Sequence, residues 1–215
     1  MAQPARRTHA QRREEAEQRL LEAALEIVAR RGTLRMTLAE VGEAAGYSRG
    51  LAGHRFGSKA GLLHALAASI GERFGQQRKK GPALQPGLAA ILGNIHFYFS
   101  RKAGAWTASR ALLVMMTESF MQPTAELRID MAAYNRSALA WFEQHIRTGI
   151  ERGEIAVDTD AASTAIVLLG AMRGVMLQWL VDERIKLPAV RDRLLQITGQ
   201  VLRPAPGRGA GKRRR

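Results

Sequence analysis

No cysteine occurs among the 215 residues, so disulfides and thiolate metal sites are excluded and a reducing compartment is permitted. Aromatic residues make up only 6% of the chain. The apolar–polar alternation that half-buried strands need is nearly missing, whereas apolar spacings of three and four abound. No internal repeat stands out. The histidines His9, His54, His64, His96 and His145 are scattered, and none stands at the Glu-x-x-His spacing of di-iron bundles. In "WFEQHI", Glu143 and His145 are two residues apart and point to different faces of a helix. There is no Gly-rich phosphate loop, nucleophile elbow or zinc pattern. Catalysis is therefore not expected, and no cofactor or metal is implied. The most apolar stretch, 161–181, is interrupted by Arg173 and Gln178 and reads better as a buried helix than as a membrane span. The opening "MAQPARRTHAQRREE" is basic with no apolar segment behind it, so a secretory signal is not expected and the cytoplasm is the default.

What the chain has instead is positive charge. The formal net charge is +14 and the pI is near 11.3. Residues 1–80 hold 15 Lys/Arg against 8 Asp/Glu, residues 81–200 hold 12 against 11, and the last fifteen hold 6 against none. An N-terminal third this basic points to a polyanionic partner, of which nucleic acid is the commonest.

The spacing predicts an all-α fold. A first helix runs from about 11 to 31, with Leu21, Ala24, Ile27, Val28 and Arg31 in one stripe and Gly32 as its stop. In "MTLAEVGEAAG", Thr37 and Glu40 have the spacing of a capping box and Met36 and Val41 that of a hydrophobic staple. They start a short second helix ending at Gly46. Ser48 reads as the N-cap of a third helix and Ser58 as that of a fourth, reaching about 77. "RKKGPALQPG" (78–87) marks a boundary. Further helices are expected at 87–101, 104–120, 124–152, 159–181 and 188–202, with Gly153 ending one and Pro188 opening the last. The expected organisation is a basic flexible arm (1–10), a helix-turn-helix domain (11–77, motif 37–56), a larger C-terminal domain (87–202) and a disordered basic tail (203–215).

Two short helices joined by a glycine-containing turn make a helix-turn-helix, whose second helix enters the DNA major groove. On that helix Ala52 and Phe56 should face the core, leaving Gly50, Leu51 and His54 opposite, with Gly53 and Arg55 on the flanks and Arg49 projecting from the first turn. Glycine costs roughly 1 kcal/mol relative to alanine inside a helix, so two of them here need a reason. Side chains missing at Gly50 and Gly53 would let the backbone approach DNA closely. Arg49 is then the expected base reader, bidentate to guanine O6 and N7, with Leu51 on a thymine methyl and His54 as a secondary contact.

The stretch "TLAEVGEAAGYSRGLAGHRFGSKAGLL" (37–63) resembles the DNA-binding domain of TetR-family transcriptional regulators, through Thr37, "AAGYS", Gly50, Phe56 and "SKAGLL". The likeness continues more weakly along the chain, where "GAMRGVMLQWLVD" suits a family C-terminal domain. It implies a homodimer that reads a near-palindromic operator and a C-terminal domain that dimerises and holds a small-molecule effector, with repression relieved by that ligand. Carried over by position, Thr37 and Lys59 would contact phosphates, Tyr47, Ser48, Arg49, Gly50 and Leu51 would form the turn and the start of the reading helix, and Arg55 would bind phosphate. Two positions depart from the family pattern: Gly53 stands where a backbone-touching tyrosine is usual, and Ala52 replaces a larger aliphatic residue.

In the C-terminal domain, 159–181 is apolar on nearly all sides, as a core helix or one shared between subunits would be. Ile166, Leu169, Gly170, Arg173 and Leu177 are its candidate dimer residues, and 188–202 could complete half of a four-helix interface. Phe97, Trp106, Met115, Phe120, Tyr134 and Trp141 are candidates for a mostly apolar effector pocket, which would favour a hydrophobic ligand. Arg6, Arg7, Arg12 and Arg13, expected ahead of the first helix, and the terminal "KRRR" could lie along phosphates or in a minor groove. The competing readings are a non-specific architectural DNA-binding protein and, less favoured, a helical enzyme.

Overall fold

A computed structural model describes residues 8–80, 83–100, 106–121 and 125–205. Every regular element among them is an α-helix: α1 (His9–Arg31), α2 (Leu38–Ala44), α3 (Leu51–Phe56), α4 (Lys59–Lys80), α5 (Leu88–Phe99), α6 (Thr107–Met121), α7 (Ala125–Glu151), α8 (Ala161–Val181) and α9 (Leu187–Leu202). The all-α class follows, with most boundaries within a few residues of those the spacing predicts. The tail beyond 205 and the arm up to residue 7 lie outside the described residues.

Helix α1 starts earlier than expected because Thr8 and Gln11 form a capping box. The Thr8 hydroxyl accepts from the Gln11 amide at 3.2 Å, and the Gln11 side chain accepts from the Thr8 amide at 2.9 Å. Arg12 and Arg13, expected ahead of the first helix, are therefore exposed helical residues. Leu20, Ala24 and Val28 are fully buried on the inner face of α1. Arg31, placed by periodicity on that stripe, instead lies in the exposed last turn and pairs with Glu40.

The chain divides into two compact units that do not run consecutively: Met1–Arg73 with Gly104–Ala132, and Phe74–Ala103 with Ala133–Arg215. In the first unit α1 packs on α2 and on α6, and α2 packs on α3. Leu20, Met36, Val41, Ala52, Leu62, Leu66, Ile70 and Met115 are buried there. Helix α6 also holds the α1–α2 connection. The Glu118 carboxylate accepts from the Thr33 amide at 2.8 Å. A Cβ on Gly32, whose φ is +77°, would stand 2.2 Å from Glu118 Oε1. Only glycine suits both that conformation and that approach.

In the second unit α5 packs on α9. The first turn of α5 is fixed from α7 and the loop after it: the Leu88 amide donates to Glu154 Oε2 at 2.9 Å, and the Gly87 amide to His145 Nδ1 at 3.3 Å. Gly153, at φ +68°, stops α7, and Pro188 occupies the first turn of α9, as the sequence predicts. Asp160 caps α8 by accepting from the Ala162 and Ser163 amides at 3.1 and 3.5 Å.

Candidate nucleic-acid interface

The helix-turn-helix is built by backbone hydrogen bonds that a few residues permit. Thr37 caps α2, its hydroxyl accepting from the Glu40 amide at 3.2 Å. The return half of the expected capping box is not made, because the Glu40 side chain turns to Arg31, which holds its carboxyl below the usual range. Met36 and Val41, the expected staple, are both buried. At the other end of α2, the Gly46 amide donates to the Glu43 carbonyl at 3.0 Å and the Tyr47 amide to the Gly42 carbonyl at 2.9 Å. With Gly46 at φ +80°, this is a complete Schellman motif, and it sets the direction of the turn.

The turn is longer than expected. Ser48 does not cap α3, which begins at Leu51 after a Gly50 that offers no side-chain cap. The Ser48 carbonyl is drawn toward α2: a Cβ on Gly42 would lie 2.5 Å from it. It accepts instead from the Leu51 amide at 3.1 Å, so residues 48–50 are a turn held against α2. Gly42 is thus required by the motif's own packing, and so is Gly61, where a Cβ would meet the Phe56 carbonyl at 2.2 Å.

Gly50 and Gly53 are different. Gly50 has an ordinary helical φ of −83°, and a Cβ there would meet nothing within 4 Å. On Gly53 a Cβ would only touch Leu38 Cδ1 at 4.0 Å. Neither glycine is demanded by conformation or by neighbours among the described residues.

Around them, Ala52 is fully buried, Phe56 and Leu51 are half-buried, and Gly50 and His54 are exposed. Arg49 is 76% exposed, with its Nε 3.2 Å from Glu43 Oε1. Tyr47 is half-buried beside the exposed Ser48. Lys59 starts α4 and donates from Nζ to the Leu34 carbonyl at 3.0 Å, while Ser58 caps that helix by accepting from the Gly61 amide at 3.0 Å. Arg55 does not project. Its side chain is 20% exposed, and its guanidinium pairs with Glu17 of α1, a contact between residues 38 apart that no local pattern signals. Arg49, Gly50, Gly53 and His54 therefore form an outward edge of α3 and its turn, with Thr37 and Lys59 at neighbouring helix starts.

The other candidate residues are dispersed. Trp106 and Met115 are buried and Phe120 is 73% exposed in the first unit; Phe97, Tyr134 and Trp141 are half-buried in the second. Leu169 is buried on the inner face of α8, and Arg173 is half-buried, donating from Nη1 to Asn135 Oδ1 at 2.5 Å. Ile166, Gly170 and Leu177 are exposed. By length and composition α8 could cross a membrane, yet its Arg173 is bonded within the unit. Among the described residues no group of His, Cys, Asp and Glu could hold a metal ion.

A short helix with a bare, outward edge, set by a Schellman turn on a capped partner helix, makes a helix-turn-helix, the motif with which many regulators enter the DNA major groove. Residues 20–66 match the model of the bacterial regulatory proteins, tetR family. The whole chain has the fold of such regulators. A Rhodococcus sp. protein designated a TetR-family transcriptional regulator aligns at a TM-score of 0.79 and 22% identity, over 88% of this chain and 99% of that one. A TetR transcriptional regulator from Chloroflexus aurantiacus aligns at 0.78 and 21%, over 90% and 99%. The transcriptional regulator FadR from Bacillus subtilis, solved in complex with stearoyl-CoA, aligns at 0.69 and 19%, over 86% and 98%. No curated protein sequence matches the chain.

Proposed function

We propose that the protein is a cytoplasmic, homodimeric repressor that binds a near-palindromic operator through residues 11–77 and is released from it by a small-molecule effector held in residues 87–202. The observation that carries this reading is the open space beside Gly50 and Gly53, flanked by exposed Arg49 and His54. A helix that gives up two side chains on its outer edge, with no neighbour in the chain requiring it, is shaped for close approach to a surface outside the chain. Positive charge concentrated in the first eighty residues makes a nucleic acid the fitting partner. Arg49 is the base reader, Leu51 covers a thymine methyl, His54 is a secondary contact, Thr37 and Lys59 hold phosphates, and Tyr47, Ser48 and Gly50 form the turn and the start of the reading helix. Arg55 acts in this reading by holding α3 on α1 through Glu17.

Dimerisation is supported by α8 and α9, where Ile166, Val167, Leu177, Val181, Ile197 and Val201 are exposed. Neither Gly170 nor Gly174 has anything within 4 Å of a Cβ position, so a second copy could pack closely there. The effector role draws support from FadR, a structural relative that binds stearoyl-CoA.

Selection of random duplexes on the purified protein tests the reading. Enriched half-sites whose centres are one helical turn or a multiple apart are expected. Uniform affinity for all sequences would show a non-specific architectural binder instead, since a regulator should discriminate by at least about 10³.

A further inference from the structure

Among the described residues four arginines are half-buried: Arg55, Arg73, Arg173 and Arg191. Three of them meet a carboxylate: Arg55 has Glu17, Arg73 has Glu22 and Arg191 has Asp192. Arg173 has none. Its recorded partner is the neutral amide oxygen of Asn135, at 2.5 Å. An arginine carries five N–H donors in a planar fork and stays protonated in proteins, so most of this fork faces no protein acceptor among the described residues. Burial pulls Arg173 below the ordinary arginine value, while the nearby phenols of Tyr134 and Tyr98 act the other way. A desolvated cation without a counter-charge is unfavourable. As the one charged residue of α8, it is also a poor choice for packing alone.

Arg173, Asn135, Tyr98 and Tyr134 all lie in the second compact unit, on α5, α7 and α8. Arg173 occupies the flank of α8, between the buried line of Leu169 and Met172 and the exposed line of Gly170 and Leu177.

We infer that Arg173, with Asn135 and the phenols of Tyr98 and Tyr134 around it, binds the anionic end of an amphiphilic small molecule, a carboxylate or a phosphate monoester, whose apolar body lies along the aromatic side chains of the same unit. The site rests on the effector role proposed above and sharpens it: the ligand is an organic anion, not simply a hydrophobic molecule. Arginine suits this task because its fork pairs with two oxygens of a carboxylate or phosphate at once.

The test uses the full chain and four probes of one chain length, octanoate, octyl phosphate, octanol and octyltrimethylammonium, all below their micellar concentrations, with affinity read by calorimetry. Both anions, or one of them, should bind about tenfold or more tighter than octanol, the scale of a charge-assisted hydrogen bond. The ratio of octanoate to octyl phosphate assigns the anion as carboxylate or phosphate. R173Q should abolish the gap between anion and alcohol while circular dichroism stays helical. N135D keeps the arginine but gives it an internal carboxylate, so it should abolish the gap as well. This second variant decides the matter if R173Q does not fold. A gap that is missing in the unaltered protein, or that survives either variant, overturns the inference. So does an R173Q that turns dimer into monomer and leaves probe preference unchanged, which would make Arg173 an interface residue. Operator binding separates the two proposals. Arg173-dependent anion binding without any change in operator affinity sinks effector release and leaves the site standing. Operator release by some other ligand, undiminished in R173Q, together with no preference for the anions over octanol, sinks the site and leaves the regulator reading intact.

Discussion

Helices α3 and α8 each present an outward face that their own chain does not explain, and they do so in opposite ways. On α3 the face is stripped: Gly50 and Gly53 leave backbone bare between Arg49 and His54. On α8 it is built up: Ile166, Val167, Leu177 and Val181 stand in solvent, with Val181 at 83% exposure. Burying apolar area is worth roughly 25 cal/mol per Å², so an exposed apolar face gains most from another apolar face, and a second copy of the same helix supplies one. A bare face next to cations gains little from apolar contact and much from a polyanion that can come close. Under the function proposed above, the contrast separates a surface that would meet DNA from one that would meet a second copy of the chain.

The largest effect should come from breaking the apolar side of this contrast. Ile166→Asp combined with Leu177→Asp places charge on the exposed line of α8 without touching Leu169 or Met172 beneath it. Sedimentation or light scattering should show a dimer becoming a monomer, and operator affinity should fall by about 100-fold or more as the second half-site is lost. A variant that stays dimeric would remove α8 from the interface.

The bare side can be sharpened by comparing glycines. Gly42→Ala drives a Cβ to 2.5 Å from the Ser48 carbonyl, so overpacking should cost about 1–3 kcal/mol in denaturant unfolding. Gly53→Ala meets only Leu38 at 4.0 Å and should raise stability by up to about 1 kcal/mol, yet weaken operator binding. Equal operator affinity in Gly53→Ala would mean that the gap on α3 serves nothing.

That pair also shows where the sequence is legible and where it is not. The nine helices among the described residues could be read because period and punctuation are local: Gly153, Pro188 and the Schellman glycine Gly46 each act within a few residues of themselves. The positions of Gly50 and Gly53 were visible too, but not that they differ from Gly42 and Gly61. That distinction depends on which carbonyl lies across from each Cβ. Ser48 misled for a related reason, since a serine before a helix reads as a cap, whereas here its carbonyl is engaged in a turn against α2. Arg55 has the pattern of an outward cation, and the carboxylate that holds it is 38 residues away. The tie between Glu118 and Thr33 spans 85 residues, and it puts α6 in the first compact unit although the chain places α6 beyond the basic linker. Arg173 reads in the sequence as a break in an apolar stretch and a candidate dimer residue, whereas its lack of a carboxylate partner among the described residues is a matter of tertiary packing that no local pattern carries.

Arg49 tests the bare face at a finer level. Arg49→Ala should cost about 1–3 kcal/mol of operator affinity and relax preference at one base pair per half-site. Its contact with Glu43 is exposed on both sides, 76% and 56%, so little stability should change with it. An equal loss on every sequence would make Arg49 a phosphate ligand and leave the reading of bases to His54 and Leu51.

The smallest effect concerns how the two helices begin. Helix α3 has no side-chain cap, whereas Asp160 secures α8. The hydrogen bond from the Ser163 hydroxyl, at 2.5 Å, does most to lower the Asp160 pKa from its ordinary 3.8, followed by the bond from the Ser163 amide. A carboxyl whose pKa is lower in the folded state stabilises the fold above its unfolded value, and that contribution is lost as pH falls through the folded one. Amide exchange over the first turn of α8, corrected for the intrinsic rate, should therefore quicken once the pH drops below about 4, while the first turn of α3 has no titrating cap to lose. Asp160→Asn can still accept from the Ala162 and Ser163 amides but cannot titrate, so it should remove the acid-dependent quickening and keep the cap at neutral pH. Unchanged acid dependence in that variant would place the sensitive group elsewhere in the second unit, and the difference between the two helix starts would then be one of geometry alone.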